Sequence, residues 1–510
     1  MSYTFPRISK KAISKTAAII IVVILIVAIA AIAAMMMPKG PAAPKKITVA
    51  TAAPLIKGLE YYKDQAEKDL GIEIELVEIP FSELYTKVVT DMSNPKGKFD
   101  LILVPNDWIG EFATKNLILP LDEYISKYKD ELKYDDILPH LRNKLMKWAG
   151  KTYAITFDGD CHLFYYRKDL LNNPKAQEMF KKEFGYDMPV PPTTWKEVID
   201  VAKFFYEHKD EFGLKGGIAI SAKRGSETPW FFVDIVASLI KPSEKYGTPI
   251  VYFDPETGEP LVNTPPWKKA FEIYKELTKY GPEGILSFDV GDIRHSFTAG
   301  EVALAIDWGD IGPLSIGPES KVKGLVGFAP LPGSTEVYDL EKKEWVKLDK
   351  PYRPAVLDFG GWMFMVPANT KNKGTTELAV KYAIYMASPE RANYLAIAKG
   401  ETGVNIFRYS QFYDKNPELW EQVGWDKESA EDYCNTIKAI YENPSPVWDI
   451  RVPGFKSFWD DLDAAISDVL TGTKTPDDAA SWLYGQWKAD IENVGKNFLE
   501  YYKEDLGISS

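Results

Sequence analysis

The hydrophobic period changes four times between Lys46 and Pro105, and that change limits the fold more than any other feature of the chain. Lys46-Ile47-Thr48-Val49-Ala50 reads as a strand closed by Pro54. Residues 58–70 have helical spacing. Residues 72–79 alternate strictly between apolar and polar, as a strand with one wet face does. Residues 81–92 form an amphipathic helical pattern. Residues 99–105 are an unbroken apolar strand, the mark of a sheet covered on both faces. Strand–helix–strand–helix–strand predicts a parallel α/β lobe.

The chain has 510 residues, about three times the usual size of one domain, so two or more lobes are expected. Further strands are predicted at 153–157 and 361–366. Helices are predicted at 195–207, 267–280 and 375–386, and over most of the chain from Trp420 onward. Thr194 with Glu197 three residues on predicts a capping box. No repeat of 20–50 residues occurs.

Residues 17–37 carry no charge. At 1.5 Å per residue that run measures roughly 31 Å, enough to cross a bilayer. Arg7, Lys10, Lys11 and Lys15 precede it. The positive-inside rule then keeps residues 1–16 in the cytoplasm and exports the remainder. The run ends in Met35-Met36-Met37 rather than a small-residue cleavage site, which favours an uncleaved anchor over a removed signal. Lys11-Ala12-Ile13-Ser14 also resembles the class III, pilin-type signals of archaeal sugar-binding proteins, in which the hydrophobic stretch is kept. Either way the body is expected outside the cell, joined to the membrane through a linker at 38–46.

Of the chain's 61 Lys/Arg, 54 lie beyond residue 46, against all 73 Asp/Glu. A body that acidic repels phosphate backbones, so nucleic acid is not an expected partner. Two cysteines and four scattered histidines supply no metal-site pattern, and no metal or cofactor is expected. Cys161 and Cys434 are compatible with a disulfide or with two buried thiols. The scarcity of glutamine hints at a thermophilic source. Gly150-Lys151-Thr152 lacks the earlier glycine of a phosphate-binding loop and reads as a turn before a strand.

Asp158 and Asp160 stand two apart, so on an extended chain they face the same way, roughly 6–7 Å from each other. That pair suits a glycosidase, a site that accepts hydrogen bonds from hydroxyls, or a plain polar turn. The aromatic residues say more. Trp108 follows Asp107 past one apolar strand, and Trp308 precedes Asp310 past another. Trp362 follows Gly360-Gly361, and Tyr166 lies just beyond Asp160. Ligands of open α/β sheets sit beyond the carboxyl ends of strands. Aromatic faces beside carboxylates there suit a sugar, whose C–H faces stack while its hydroxyls donate.

Six segments in order carry a resemblance. They are residues 99–108, residues 117–122, Tyr165-Tyr166-Arg167-Lys168-Asp169-Leu170-Leu171 with Pro192-Thr193-Thr194-Trp195, residues 297–310, Gly360-Gly361-Trp362, and residues 385–390. Together they resemble the extracellular solute-binding proteins of family 1, the sugar-binding class that feeds ABC importers. The resemblance spans about 46–484. It implies the α/β, two-lobed fold of periplasmic binding proteins (type II), closing on a carbohydrate ligand that is handed to ABC permease subunits. Carried onto this chain, the first lobe is 47–157 with 360–405 and the second is 161–330 with 410–505. Hinges are expected near 156–160, 357–361 and 402–408. The family's sugar contacts correspond best to Trp108, Tyr166, Trp308 and Trp362; Asp107, Asp158, Asp160 and Asp310 join them on chemical grounds. Two rival readings stand beside this one: a secreted glycosidase using Asp158 and Asp160, and the same fold holding a peptide or polyamine. The chain is longer than the family pattern at 334–354 and in its Trp-rich C-terminal region.

Overall fold

Three strands run side by side at the start of the body: β1 (Lys46–Thr51), β2 (Glu73–Glu78) and β3 (Leu101–Pro105), all parallel. The computed structural model describes residues 46–357, 359–400 and 402–508. The basic tail, the apolar run and all of the linker except Lys46 lie outside them. Among the described residues no helix is long and apolar enough to cross a membrane. The chain does not break at Pro54, which falls in the first turn of helix α1 (Ala53–Tyr61), where a missing N–H costs nothing. Helix α2 (Phe81–Ser93) follows β2 and buries Leu84, Val88 and Met92 at i, i+4, i+8.

The first sheet has the order β2-β1-β3-β12-β4, where β4 is Ala154–Thr156 and β12 is Trp362–Met365. β12 enters between β3 and β4 and is antiparallel to both. The sheet is therefore mixed. All five residues of β3 are buried, as its unbroken apolar run requires.

A second sheet is built from β5 (Leu163–Arg167), β6 (Gly216–Ala219), β7 (Val302–Asp307) and β8 (Val326–Ala329), in the order β8-β5-β7-β6. β5 is antiparallel to both neighbours, and β6 is parallel to β7. The extra residues at 334–354 form a hairpin, β9 (Ser334–Asp339) with β10 (Glu344–Tyr352). A short strand, β11 (Ala355–Leu357), then pairs with β13 (Pro446–Trp448). Lys151 and Thr152 belong to a tight hairpin with Lys147 and Trp148. Ala149 and Gly150 turn its corner at φ 46 and 72.

Two helices from the second sheet's surroundings matter below: α3 (Thr228–Ser238) and α4 (Val290–Thr298). At the C-terminus, α5 (Lys427–Tyr441), α6 (Phe455–Leu470), α7 (Pro476–Val494) and α8 (Phe498–Leu506) complete the body. This region does not belong wholly to the second sheet. Arg451 donates from Nη1 to the carbonyls of Lys144 and Lys147, each at 3.3 Å, and from Nε to Asp505 at 2.8 Å. Gly454 N–H donates to Glu111 at 3.1 Å. The C-terminal segment thus straps the first sheet's helices as well. Cys161 and Cys434 are both buried and free, so the thiol alternative holds.

Candidate functional site

Chain crossings bring three segments together between the two sheets. Asp158 N–H donates to the Trp362 carbonyl at 3.2 Å, and Asn405 N–H donates to Asp158 Oδ1 at 2.5 Å. Residues after β4, before β12 and around 405 therefore lie in contact. The approach is close enough to dictate sequence. A Cβ on Gly361 would stand 2.0 Å from the Asp158 carbonyl oxygen, and its φ is +89. Phe359, two residues earlier, also has positive φ, at 69. A side chain held there costs about 1–3 kcal/mol and needs firm support. The Phe359 ring finds it against Trp230, Trp362, Trp308 and Phe81, with centroids 5.0, 5.4, 5.6 and 6.0 Å away.

Beyond β7 the chain reads Trp308-Gly309-Asp310. Tyr165 donates to the Trp308 carbonyl, and Tyr433 to that of Gly309 at 3.0 Å. Gly309 has no room for a side chain: a Cβ would meet Asn405 Oδ1 at 2.1 Å. The Trp308 ring is wedged between His162 at 4.4 Å and Phe231 at 5.4 Å. His162 is itself held by Asp234 at 2.8 Å, both wholly buried.

These segments line one narrow cleft. Its apolar side is Leu55 of α1, Phe81 at the start of α2, Phe359, Trp362 and Trp308. Its polar side is Asp158, Asp160, Asp310, Glu227 and Arg294. Val290 and Arg294 face the cleft together because they are one turn apart on α4. Asp289 starts that helix with a capping box closed by Asp292. Asn405 knits the carboxyls together, its Nδ2 lying 3.3 Å from both Asp160 Oδ1 and Asp310 Oδ2.

Asp158 and Asp160 are hydrogen-bonded to each other, closer than an extended chain would hold them. The strand ends at Thr156 and the backbone bends at Phe157, so residues 158–160 do not run as a strand. Burial, with the charge of Asp310 nearby, pushes Asp158 up to about 7. Burial, then Asp158 and Asp310, raises Asp160 well above the usual carboxylate range. Burial also pushes Asp307, at the end of β7, up to about 7 against the opposing pull of Arg294. Burial and mutual repulsion therefore favour the protonated form in this pair, and the cleft offers buried acceptors.

Of the residues expected from sequence, Asp158, Asp160, Trp308, Asp310 and Trp362 line one cleft. Trp362 reaches it from the first residue of its strand. β12 runs antiparallel, so Trp362 lies opposite Pro105 at the same edge. Trp108 lines a neighbouring cavity of about 140 Å³ with Trp230 and Trp459, which touches the first through Phe81. Asp107 is buried elsewhere, near Trp230 but with its Oδ2 unmet by any donor among the described residues, and is raised well above the usual range by burial and by Asp449. Tyr166 is also away from the cleft. β5 starts at the cleft, with Leu163 opposite Asp307, and Tyr166 lies opposite Leu304 in mid-sheet, its ring over Gly327. Strand direction decides this, and it is not written in the local sequence. Phe81, Phe359, Glu227 and Arg294 escaped the sequence reading because each arrives on a different element. The paired glycines Gly360-Gly361, both at positive φ, were a local signal for Phe359 alone.

Known proteins share this architecture. A ribitol complex of an ABC transporter solute-binding protein from Agrobacterium radiobacter K84 superposes with a TM-score of 0.69 at 21% identity, over 88% of this chain and 100% of that one. Maltose-bound MalE3 of T. maritima gives 0.67 at 22%, with the same coverage. A mannitol-binding protein of Pseudomonas aeruginosa is 24% identical over 435 residues, 84% of this chain and 88% of the relative. A maltotriose-binding protein of Pyrococcus abyssi is 25% identical over 305 residues, 59% of this chain and 53% of the relative. The structural likeness establishes a two-lobed α/β binding-protein fold. With the family model matching residues 52–392, the chain belongs to the bacterial extracellular solute-binding proteins.

Proposed function

We propose that this protein captures a sugar or oligosaccharide in the cleft between its two sheets and delivers it to the permease of an ABC importer. One observation carries the reading: the cleft sets the rings of Trp308, Trp362, Phe359 and Phe81 against the carboxyls of Asp158, Asp160 and Asp310. Rings stack on C–H faces, and buried carboxylates accept from hydroxyls. The lobes are taken as 47–157 with 360–405 and 161–330 with 410–505, hinged where residues 158, 361 and 405 touch. Ligand bound between them favours the closed state by contacts that the open state lacks. The relatives named for mannitol, maltotriose, ribitol and maltose support a polyhydroxylated ligand.

The Asp158–Asp160 hydrogen bond favours binding over hydrolysis, because a retaining glycosidase separates its carboxyls by about 5–5.5 Å to admit the sugar. In this reading residues 17–37 hold the body outside the cell, and no cofactor takes part. Calorimetry of the purified full chain against sugars, polyols, peptides and polyamines tests it, beside a reducing-end assay. Sugar or polyol binding without release of reducing ends is expected. Binding of peptides alone, or turnover lost in Asp158→Asn, overturns it.

A further inference from the structure

The charges lining the cleft do not balance. Four carboxyls face it, Asp158, Asp160, Glu227 and Asp310, against the single guanidinium of Arg294. That guanidinium is already matched. Its Nε donates to Asp307 Oδ2 at 2.9 Å and its Nη2 to Asp310 Oδ2 at 2.8 Å, both in ion-pair contact. Asp158 and Asp160 satisfy each other and Asn405. Glu227 is the exception. It stands just before α3, and its Oε2 is buried without a hydrogen-bond partner among the described residues. A buried carboxylate oxygen left unmet is costly. Lys223 is bonded to Asp289 at 2.7 Å, so it and Arg294 reach Glu227 only through space, while backbone N–H groups at Glu227 and Val290 support the carboxyl and leave Oε2 without a donor. The cleft therefore presents one acceptor oxygen without a donor, on a carboxyl whose charge burial leaves under-compensated, beside aromatic rings that attract cations at their faces.

We propose that the ligand carries a cationic amino group among its hydroxyls, an amino sugar, and that Glu227 receives its ammonium. The inference rests on the sugar reading above and narrows it. The hydroxyls go to Asp158, Asp160 and Asp310, the C–H faces to Trp308 and Trp362, and the ammonium to the oxygen that has no partner. A free amine and its neutral counterpart have nearly the same shape, so the charge alone separates them. N-acetylation removes that charge and adds bulk at the same carbon.

The test is calorimetry of the full chain near neutral pH with matched pairs: glucosamine and glucose, galactosamine and galactose, and the fully deacetylated chitosan disaccharide and cellobiose. In at least one pair the amino member is expected to bind tenfold or more tightly than the neutral one, and N-acetylglucosamine is expected to bind no better than glucose. Glu227→Gln should erase that preference, bringing the amino member of the pair down to the affinity of its neutral counterpart. Glu227→Asp, which keeps the charge and shortens the reach, should retain part of it. Neutral members binding as tightly as amino members in the wild-type chain would overturn the inference and leave the sugar reading standing. Silence from every pair would remove both. The wild-type comparison decides even where the Gln variant fails to fold.

Discussion

Asp158 shows how a single side chain reports on the site. Its folded pKa lies near 7, raised by burial and by Asp310, against about 4 in an unfolded chain. The folded state then binds more protons than the unfolded state between those values. Stability from this group is complete below about pH 4 and is lost as pH rises through 7. Asp160 and Asp307 act in the same sense. Surface carboxylates act oppositely: ion pairing lowers Glu256 and Glu377 to about 2, so their contribution is lost as pH falls below about 4.5. The unliganded protein should therefore melt highest near pH 5 and lose several degrees by pH 8. Asp158→Asn should flatten the alkaline limb in a thermal-shift series, and an unchanged limb would place the titration elsewhere. The tryptophans need finer changes. Trp308 is 5% exposed and packed on His162 and Phe231, so Trp308→Ala should cost about 3–5 kcal/mol in the unliganded protein. Trp308→Phe keeps most of that packing. A loss of ligand affinity with melting temperature held within a few degrees is expected for it, read by calorimetry and differential scanning.

At the scale of elements, much of the first sheet was legible because its code is local. β1, β2, β3 and α2 appear where the period of apolar residues changes. The helix Trp195–Glu207 begins at Thr194 with the capping box its sequence promised. What was not legible depends on strand direction and partner. The apolar run at 361–366 gave no sign that it would enter antiparallel between β3 and β4, and that insertion is what brings Trp362 to the cleft edge. β5 was not legible as a strand at all, and its pairing with β7 is what turns Tyr166 into the sheet rather than toward the cleft. The crossing before β12 is the element most sensitive to change. Gly361→Ala adds a Cβ 2.0 Å from the Asp158 carbonyl at φ +89, a clash that backbone movement alone can relieve. It should weaken ligand binding and lower the melting temperature more than Gly150→Ala, whose added Cβ meets nothing within 4 Å at φ +72. Equal effects would show that the crossing tolerates displacement.

For the whole molecule, the described body has its own hydrophobic core. Deleting residues 1–41 is expected to leave a soluble chain with unaltered affinity, checked by size-exclusion chromatography and calorimetry; aggregation would give the deleted segment a part in the fold. Small-angle scattering should show the body contracting when ligand is added, as hinge closure requires. The order of the first sheet also governs how the chain can be made. β4 is attached to that sheet only through β12, which emerges about 200 residues later, roughly 10–40 s at ~5–20 residues per second. Throughout that interval the apolar β3 has one edge without its neighbour, and β4 has nothing to pair with. Unpaired apolar edges are templates for aggregation. A growing chain of this design gains from being kept unfolded by a holding factor until residue 365 is available, and slowed release from that factor should raise, not lower, the yield of active protein.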